Sequence, residues 1–289
     1  MNTSLEMWGN TWIKIYIKPS HKPRTVENYR YVLQVLETNA PDIWKESLDE
    51  IKEIELQNML NDMGHRYAKS TLHTLRTVLS QIYKTAIQNK LCITNPAVGL
   101  QIPKYAAEKK VEAFSLEEEQ LIRDAAPSVY KGDIAIFLLD TGLRSIELEQ
   151  LEQKDYSSSE HAIHIRNSKT KAGNRWVPLT AEAEEILLRQ PTIGPTIFTT
   201  SIGTPISKVC LQKLCRRLEA ATGVKNIHPH RFRHSFATRL VELGVNVKAL
   251  SDLLGHTDVS FTMARYVSTE INFLRSQIGL LDGIIQQAC

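Results

Sequence analysis

Five separated segments of this chain supply two arginines, two histidines, a lysine and a tyrosine that could do chemistry together. Thr-Gly-Leu-Arg-Ser-Ile-Glu-Leu (141–148) carries Arg144 and Glu147, and Ser-Lys-Thr-Lys (168–171) carries Lys169 and Lys171. His-Pro-His-Arg-Phe-Arg-His (228–234) carries His230 and Arg233, Leu-Gly-His (254–256) carries His256, and Tyr266 follows ten residues later. Cationic groups neutralise a phosphate, and a phenol can attack it. With a pKa of about 10, a phenol leaves phosphorus far more readily than a sugar alkoxide does, so a phosphotyrosyl bond retains what rejoining needs. That chemistry requires neither metal nor nucleotide, so no cofactor is expected.

Each group also has a plainer reading. His230 and Arg233 share a face in the first turns of a helix that Pro229 can begin, where dipole and open amides favour an anion. They could instead only cap the helix or form a salt bridge. Glu147 could hold Arg144 or orient a histidine, but taken alone the pair reads as a surface ion pair worth about 0.3 kcal/mol. Lys169 or Lys171, at a hairpin turn, could protonate a leaving sugar oxygen, although most loop lysines are merely solvated. A single tyrosine is ordinarily core or interface. His228, His230 and His234 have no acidic ligand at suitable spacing and Pro229 intervenes, so no metal site is expected.

Helices must position most of these groups. Trp8, Trp12, Ile15 and Tyr16 recur at helical spacing behind Ser4. Thr25 opens a second stripe (Val26, Tyr29, Val32, Leu33, Leu36), and Ser70 a third (Leu72, Leu75, Leu79, Ile82, Tyr83, Ala86), with Asn95-Pro96 stopping the pattern. The polar stretch 103–110 reads as a linker. Ser115 and Glu118 have capping-box spacing behind Phe114. One hairpin is predicted: Ile163 and Ile165 alternate with polar residues, 172–174 can turn, and Trp176, Val177 and Leu179 return. Helices are predicted again over 207–222, ended by Gly223, and from about Pro229 to Leu243, ended by Gly244.

At 289 residues the chain can bury two cores. No apolar run is long enough to span a bilayer, no secretory signal opens the sequence, and Cys92, Cys210, Cys215 and Cys289 form no Cys-x-x-Cys pair, so a reducing cytoplasmic setting without a membrane is expected. Net charge is only +3, but eight Lys/Arg face one acid, Glu219, between Lys208 and Arg239. Lys208, Lys213, Arg216, Arg217 and Arg231 are thus candidate DNA contacts, with a merely solvated basic face as the alternative.

Taken together the segments resemble the tyrosine recombinase (phage-type integrase) family. Thr-Gly-Leu-Arg, Ser-Lys-Thr before Arg175-Trp176-Val177-Pro178-Leu179, His230-Arg231-Phe232-Arg233, Leu254-Gly255-His256 and Tyr266 match its motifs in order and spacing. The resemblance implies a mainly α fold with a small antiparallel sheet, arranged as a two-domain clamp on duplex DNA. A helical core-binding domain would occupy 1–104, a linker 105–113, a catalytic domain 114–268 and a tail 269–289. Many relatives carry a further N-terminal domain for arm sites; here the core-binding resemblance begins at residue 4. The resemblance assigns catalysis to Arg144, Lys169, His230, Arg233, His256 and Tyr266, with Glu147 supporting and Lys171 the alternative acid. Recombination by four protomers on two DNA sites is implied, with accessory directionality or DNA-bending proteins. The apolar tail (Ile271, Leu274, Ile278, Leu280, Leu281, Ile284, Ile285) would dock on a neighbouring protomer or on its own domain. A DNA-binding regulator that does not cut, or a relaxing enzyme of topoisomerase IB type, would share parts of this pattern.

Overall fold

The computed structural model describes residues 3–108, 112–166, 173–256 and Ser260. Lys169, Lys171, Tyr266 and the tail from 269 lie outside the described residues. Packing divides the chain into two compact units, Met1–Lys110 and Val111–Cys289.

The first unit is helical: α1 (Leu5–Trp12), α2 (Pro23–Asn39), α3 (Pro41–Lys45), α4 (Glu53–Gly64) and α5 (Lys69–Gln88). Ser4 caps α1 by accepting from the Met7 amide. Helix α5 is the wall against which α1, α2 and α4 pack. Its stripe of Leu72, Leu75, Val78, Leu79, Ile82, Tyr83 and Ala86 is fully excluded from solvent. Trp8 adds a cross-link, donating its indole N–H to the Ile82 carbonyl at 3.1 Å.

Three boundaries differ from the sequence reading. Helix α2 begins at Pro23, before Thr25, because proline's fixed φ suits the first helical position. Helix α5 begins at Lys69, so Ser70 lies inside its first turn rather than at the cap. The Lys69 amide, one of the first-turn donors without a partner inside the helix, finds the Ala107 carbonyl at 2.9 Å, so returning backbone satisfies it. The same helix stops at Gln88, ahead of Asn95-Pro96, where Lys90 turns to a φ of 58°.

Residues 105–108, expected to run as linker, pack on the first unit instead. Ala106 is buried, Tyr105 stacks on His65 at 4.6 Å between ring centroids, and its hydroxyl donates to the Asn61 carbonyl.

The second unit is built on α7 (Asp133–Thr141), whose residues 134–139 are all buried, as befits a helix surrounded by partners. Helix α6 (Leu116–Ala125) starts with the expected capping box between Ser115 and Glu118, behind a buried Phe114. After α8 (Ser145–Glu149) come three antiparallel strands in the order β1 (Tyr156–Ser157), β2 (Ala162–Ile165) and β3 (Arg175–Pro178). Ile163 faces Val177 and Ile165 faces Arg175 across β2 and β3. Helices α9 (Ala181–Leu188), α10 (Lys208–Thr222), α11 (Pro229–Glu242) and α12 (Val247–Leu254) complete it, with α9 and α11 packed on α7. Among the described residues, no helix is long and apolar enough to cross a membrane.

Gly142 ends α7 with φ 61°, and a Cβ there would lie 2.3 Å from Phe236 Cδ1. Both the left-handed backbone and the approach of α11 demand glycine. Gly142→Ala should therefore destabilise the unit by about 3 kcal/mol, adding left-handed strain to overpacking, whereas Gly223→Ala (φ 75°, open space) should cost about 1 kcal/mol. Chemical unfolding of the two variants checks this ordering.

Helix α11 is capped by His228, whose Nδ1 accepts from the Arg231 amide at 3.2 Å. Burial, and then the Arg231 charge, lower the His228 pKa against an opposing pull from Glu219. A histidine depressed in the folded state contributes stability that is complete above its ordinary pKa of about 6.5 and is lost as pH falls through the folded value. His228→Asn, which caps without titrating, should flatten that part of the stability-against-pH curve.

Candidate active site

Local sequence sets each contributing element. Gly142 closes α7 so that the chain turns through Leu143, buried, into α8, with Arg144 in extended backbone at its start. Pro229 begins α11, placing His230 and Arg233 in its first turns. Asn246 caps α12 by accepting from the Lys248 and Ala249 amides, and Gly255 ends that helix with φ 62°, immediately before His256.

These elements converge on one carboxylate. Glu147, with a side chain 5 % exposed, receives Arg144 Nη1 on Oε1 at 2.7 Å and the Arg144 amide on Oε2 at 2.9 Å. Arg175 grips both of its oxygens, Nη1 to Oε1 and Nη2 to Oε2, each at 3.0 Å. Arg233 Nη1 lies 4.0 Å from Oε2. Burial by itself would raise the Glu147 pKa; the Arg175 hydrogen bonds and charge, with those of Arg144, outweigh it and hold the carboxyl below the ordinary carboxylate range.

The same three guanidinium groups meet the end of α12. Arg175 Nε donates to the Leu253 carbonyl at 2.6 Å, Arg233 Nη2 donates to that of Leu254, and Arg144 Nη2 to that of Gly255 at 3.2 Å. Three consecutive carbonyls, left open where a helix ends, thus each take one arginine. Arg233 also donates to the Gly142 carbonyl at 2.9 Å and lies 3.1 Å from His256 Nε2.

Of the residues singled out from sequence, Arg144, Glu147, Arg233 and His256 are brought into this one cluster. Arg144 retains a side chain 34 % exposed while that of Arg233 is 2 % exposed, so Arg144 offers the more open face of the cluster. His230 stands exposed on the first turn of α11. On α10, Lys208, Lys213, Arg216 and Arg217 are exposed opposite the buried Leu211, Leu214, Cys215 and Leu218, and the Arg217 guanidinium lies 5.3 Å over the Tyr130 ring.

Arg231, expected among the DNA contacts, is turned inward instead. It bonds Glu118 at 2.7 Å, the Lys225, Glu112 and Ala113 carbonyls, and the Phe114 ring face at 4.1 Å, leaving its side chain 11 % exposed. One acid on α6, Glu118, lying outside the span of the local charge count, has captured it.

Arg175 is the member that sequence reading missed as a site residue. The available signal was its phase: Arg175 alternates with Val177 on the buried side of β3, while Trp176 is exposed. A charge in step with an apolar strand face implies a buried partner.

Comparison with known proteins agrees with this architecture. The sequence profile of the Phage integrase family matches residues 114–272, and that of the Phage integrase central domain matches residues 8–102. Tyrosine recombinase XerC of Lactobacillus delbrueckii subsp. bulgaricus is 28% identical over 265 residues, covering 84% of this chain and 88% of the relative. Tyrosine recombinase XerD of Staphylococcus epidermidis is 27% identical over 282 residues, covering 91% and 92%. Among solved structures, the Tn1549 transposon integrase in complex with circular intermediate DNA superposes with a TM-score of 0.79 at 22% identity over 96% of this chain and 99% of that one. A lambda integrase dimer bound to a core site superposes with a TM-score of 0.75 at 21% identity, over 93% and 97%. The chain belongs to the phage integrase family and is an enzyme of the tyrosine recombinase class.

Proposed function

We propose that the protein binds duplex DNA at specific sites and cuts and rejoins it through a 3′-phosphotyrosyl intermediate, moving a mobile element by integration or excision. The observation that carries this reading is the gathering of Arg144, Arg233 and His256 around Glu147, with Tyr266 ten residues beyond His256 in sequence. Support for DNA as substrate comes from the recombinase relatives and from the DNA-bound Tn1549 and lambda integrases that share the fold.

Arg144, Arg233 and His256 hold the non-bridging oxygens and stabilise the charge that builds as phosphorus becomes five-coordinate, usually the largest catalytic effect. The Tyr266 oxygen bonds to phosphorus as the bond to the 5′ oxygen breaks. His230 assists removal of the phenolic proton, and Lys169 protonates the departing 5′ oxygen. A 5′-hydroxyl from a second strand then attacks the phosphotyrosine, the phenol leaves, and no bond energy is lost between the two steps. Four protomers on two DNA sites perform the exchange, with accessory DNA-bending or directionality proteins choosing its direction. The exposed Lys208, Lys213, Arg216 and Arg217 supply sequence-independent phosphate contacts.

Tyr266→Phe should bind a nicked suicide duplex as wild type does yet form no covalent adduct, since only the attacking oxygen is gone. Wild type on a two-site plasmid should give recombinant circles. Adduct formation by the phenylalanine variant would overturn the proposal, and relaxed circles without recombinants would favour a relaxing enzyme.

The acid is identified by leaving-group chemistry. Lys169→Ala should slow cleavage about 10²–10⁴-fold and recover on DNA with a 5′-bridging sulfur, which leaves without a proton. Lys171→Ala should match wild type on both substrates; the reverse pattern transfers the role to Lys171.

A further inference from the structure

We infer that Arg175 is a positioning residue for the phosphate site: it orients Glu147, and through it Arg144, and it holds the end of α12 from which His256 projects. The inference rests on the strand-cleavage reading above and assigns a role to a side chain that need not touch DNA.

Arg175 has four acceptors within the unit: both oxygens of Glu147, the Leu253 carbonyl and the Gly173 carbonyl at 3.1 Å. A guanidinium carries five N–H donors, so four are committed. Its side chain is 6 % exposed. Turning it toward an outside phosphate would strip Glu147, itself buried, of its forked partner, and uncompensated buried charge is strongly unfavourable. Neither Arg144 nor Arg233 forks onto Glu147: Arg144 has two acceptors for its guanidinium and the more open surface, and the bonds of Arg233 run to the Gly142 and Leu254 carbonyls and to His256 rather than to a buried carboxylate.

The geometry also shows what the committed side chain does. Two parallel bonds of 3.0 Å fix the plane of the Glu147 carboxylate as well as its place. With that plane set, Oε1 meets Arg144 Nη1 and Oε2 meets the Arg144 amide, so both the side chain and the backbone start of α8 are located. The Nε bond to Leu253 stops the last turn of α12 from sliding, and His256 follows three residues later, its amide bonded to the Ser251 carbonyl at 3.0 Å. One guanidinium therefore joins β3, α8 and α12. A lysine in its place offers a point charge and cannot fork onto Glu147 while also reaching Leu253.

The test compares Arg175→Ala, Arg175→Lys, Glu147→Gln and the Arg175→Ala/Glu147→Gln double variant. Covalent adduct formation is followed in single turnover on a nicked suicide duplex at saturating protein, with DNA affinity measured alongside. Arg175→Ala is expected to slow the chemical step about 100-fold, the scale of an ångström-sized misplacement, with near-unchanged affinity. The double variant should be no slower than the slower single, because both remove one contact. Arg175→Lys, which keeps the charge and guards against simple unfolding, should remain more than about tenfold slow. Losses that multiply in the double variant, or a lysine variant at wild-type rate, would overturn the inference.

A second readout needs no cleavage. The His256 imidazole resonances should shift in both Arg175 variants while those of His21 and His73, in the first unit, stay in place. An unmoved His256 signal also overturns the inference. Absence of an adduct with wild type instead defeats the strand-cleavage reading and leaves the His256 measurement to decide on Arg175.

Discussion

A single buried carboxylate organises the catalytic unit. Glu147 is the acceptor on which Arg144 and Arg175 meet and which Arg233 approaches, and without it three guanidinium groups would repel one another in a space largely closed to water. The carboxylate does not cancel them. Three positive charges stand against one negative charge and the roughly half charge of the α12 C-terminus, so the cluster stays biased toward an anion. A surface pair at the same sequence spacing would be worth only tenths of a kcal/mol. Burial and sharing convert Arg144–Glu147 from such a pair into a framework.

The helix end is the second half of that framework. Carbonyls at a helix terminus need donors, and here Leu253, Leu254 and Gly255 obtain them from side chains of β3, α11 and the start of α8. Each arginine is held between a carboxylate or carbonyl on one side and α12 on the other. His256 is thereby placed by the same bonds that place the arginines, which gives the site its geometry in advance of any ligand.

What the sequence disclosed follows the range over which each feature is encoded. The Ser115–Glu118 box, the Pro229 start of α11, the Gly223 and Gly244 helix ends and the alternation of Ile163 with Ile165 depend on neighbours a few residues away, and they form as read. Arg144–Glu147 also lay at readable spacing, but its burial did not. Arg175 depends on Glu147, 28 residues before it, and on Leu253, 78 residues after it, so only its phase on β3 hinted at a partner. The inward partners of Arg231 were unreadable for the same reason: Glu118 and the Glu112 and Ala113 carbonyls are more than a hundred positions away. Helix α5 begins one residue ahead of Ser70, at Lys69, whose amide bonds the Ala107 carbonyl, another remote group.

Along α11, Arg231, Ser235 and Arg239 recur at one helical face and bind residues 112–114: Arg231 takes two carbonyls, Ser235 accepts from the Phe114 amide, and Arg239 donates to the Phe114 carbonyl. These bonds join positions 118 to 125 residues apart. During synthesis the catalytic unit therefore leaves the ribosome with its opening segment and its arginine framework both unfinished until α11 and α12 have emerged. Closing so large a loop is entropically slow. A nascent chain short of Gly255 holds Glu147 without the helix end that shares its arginines, so competence for anion binding arrives late and all at once.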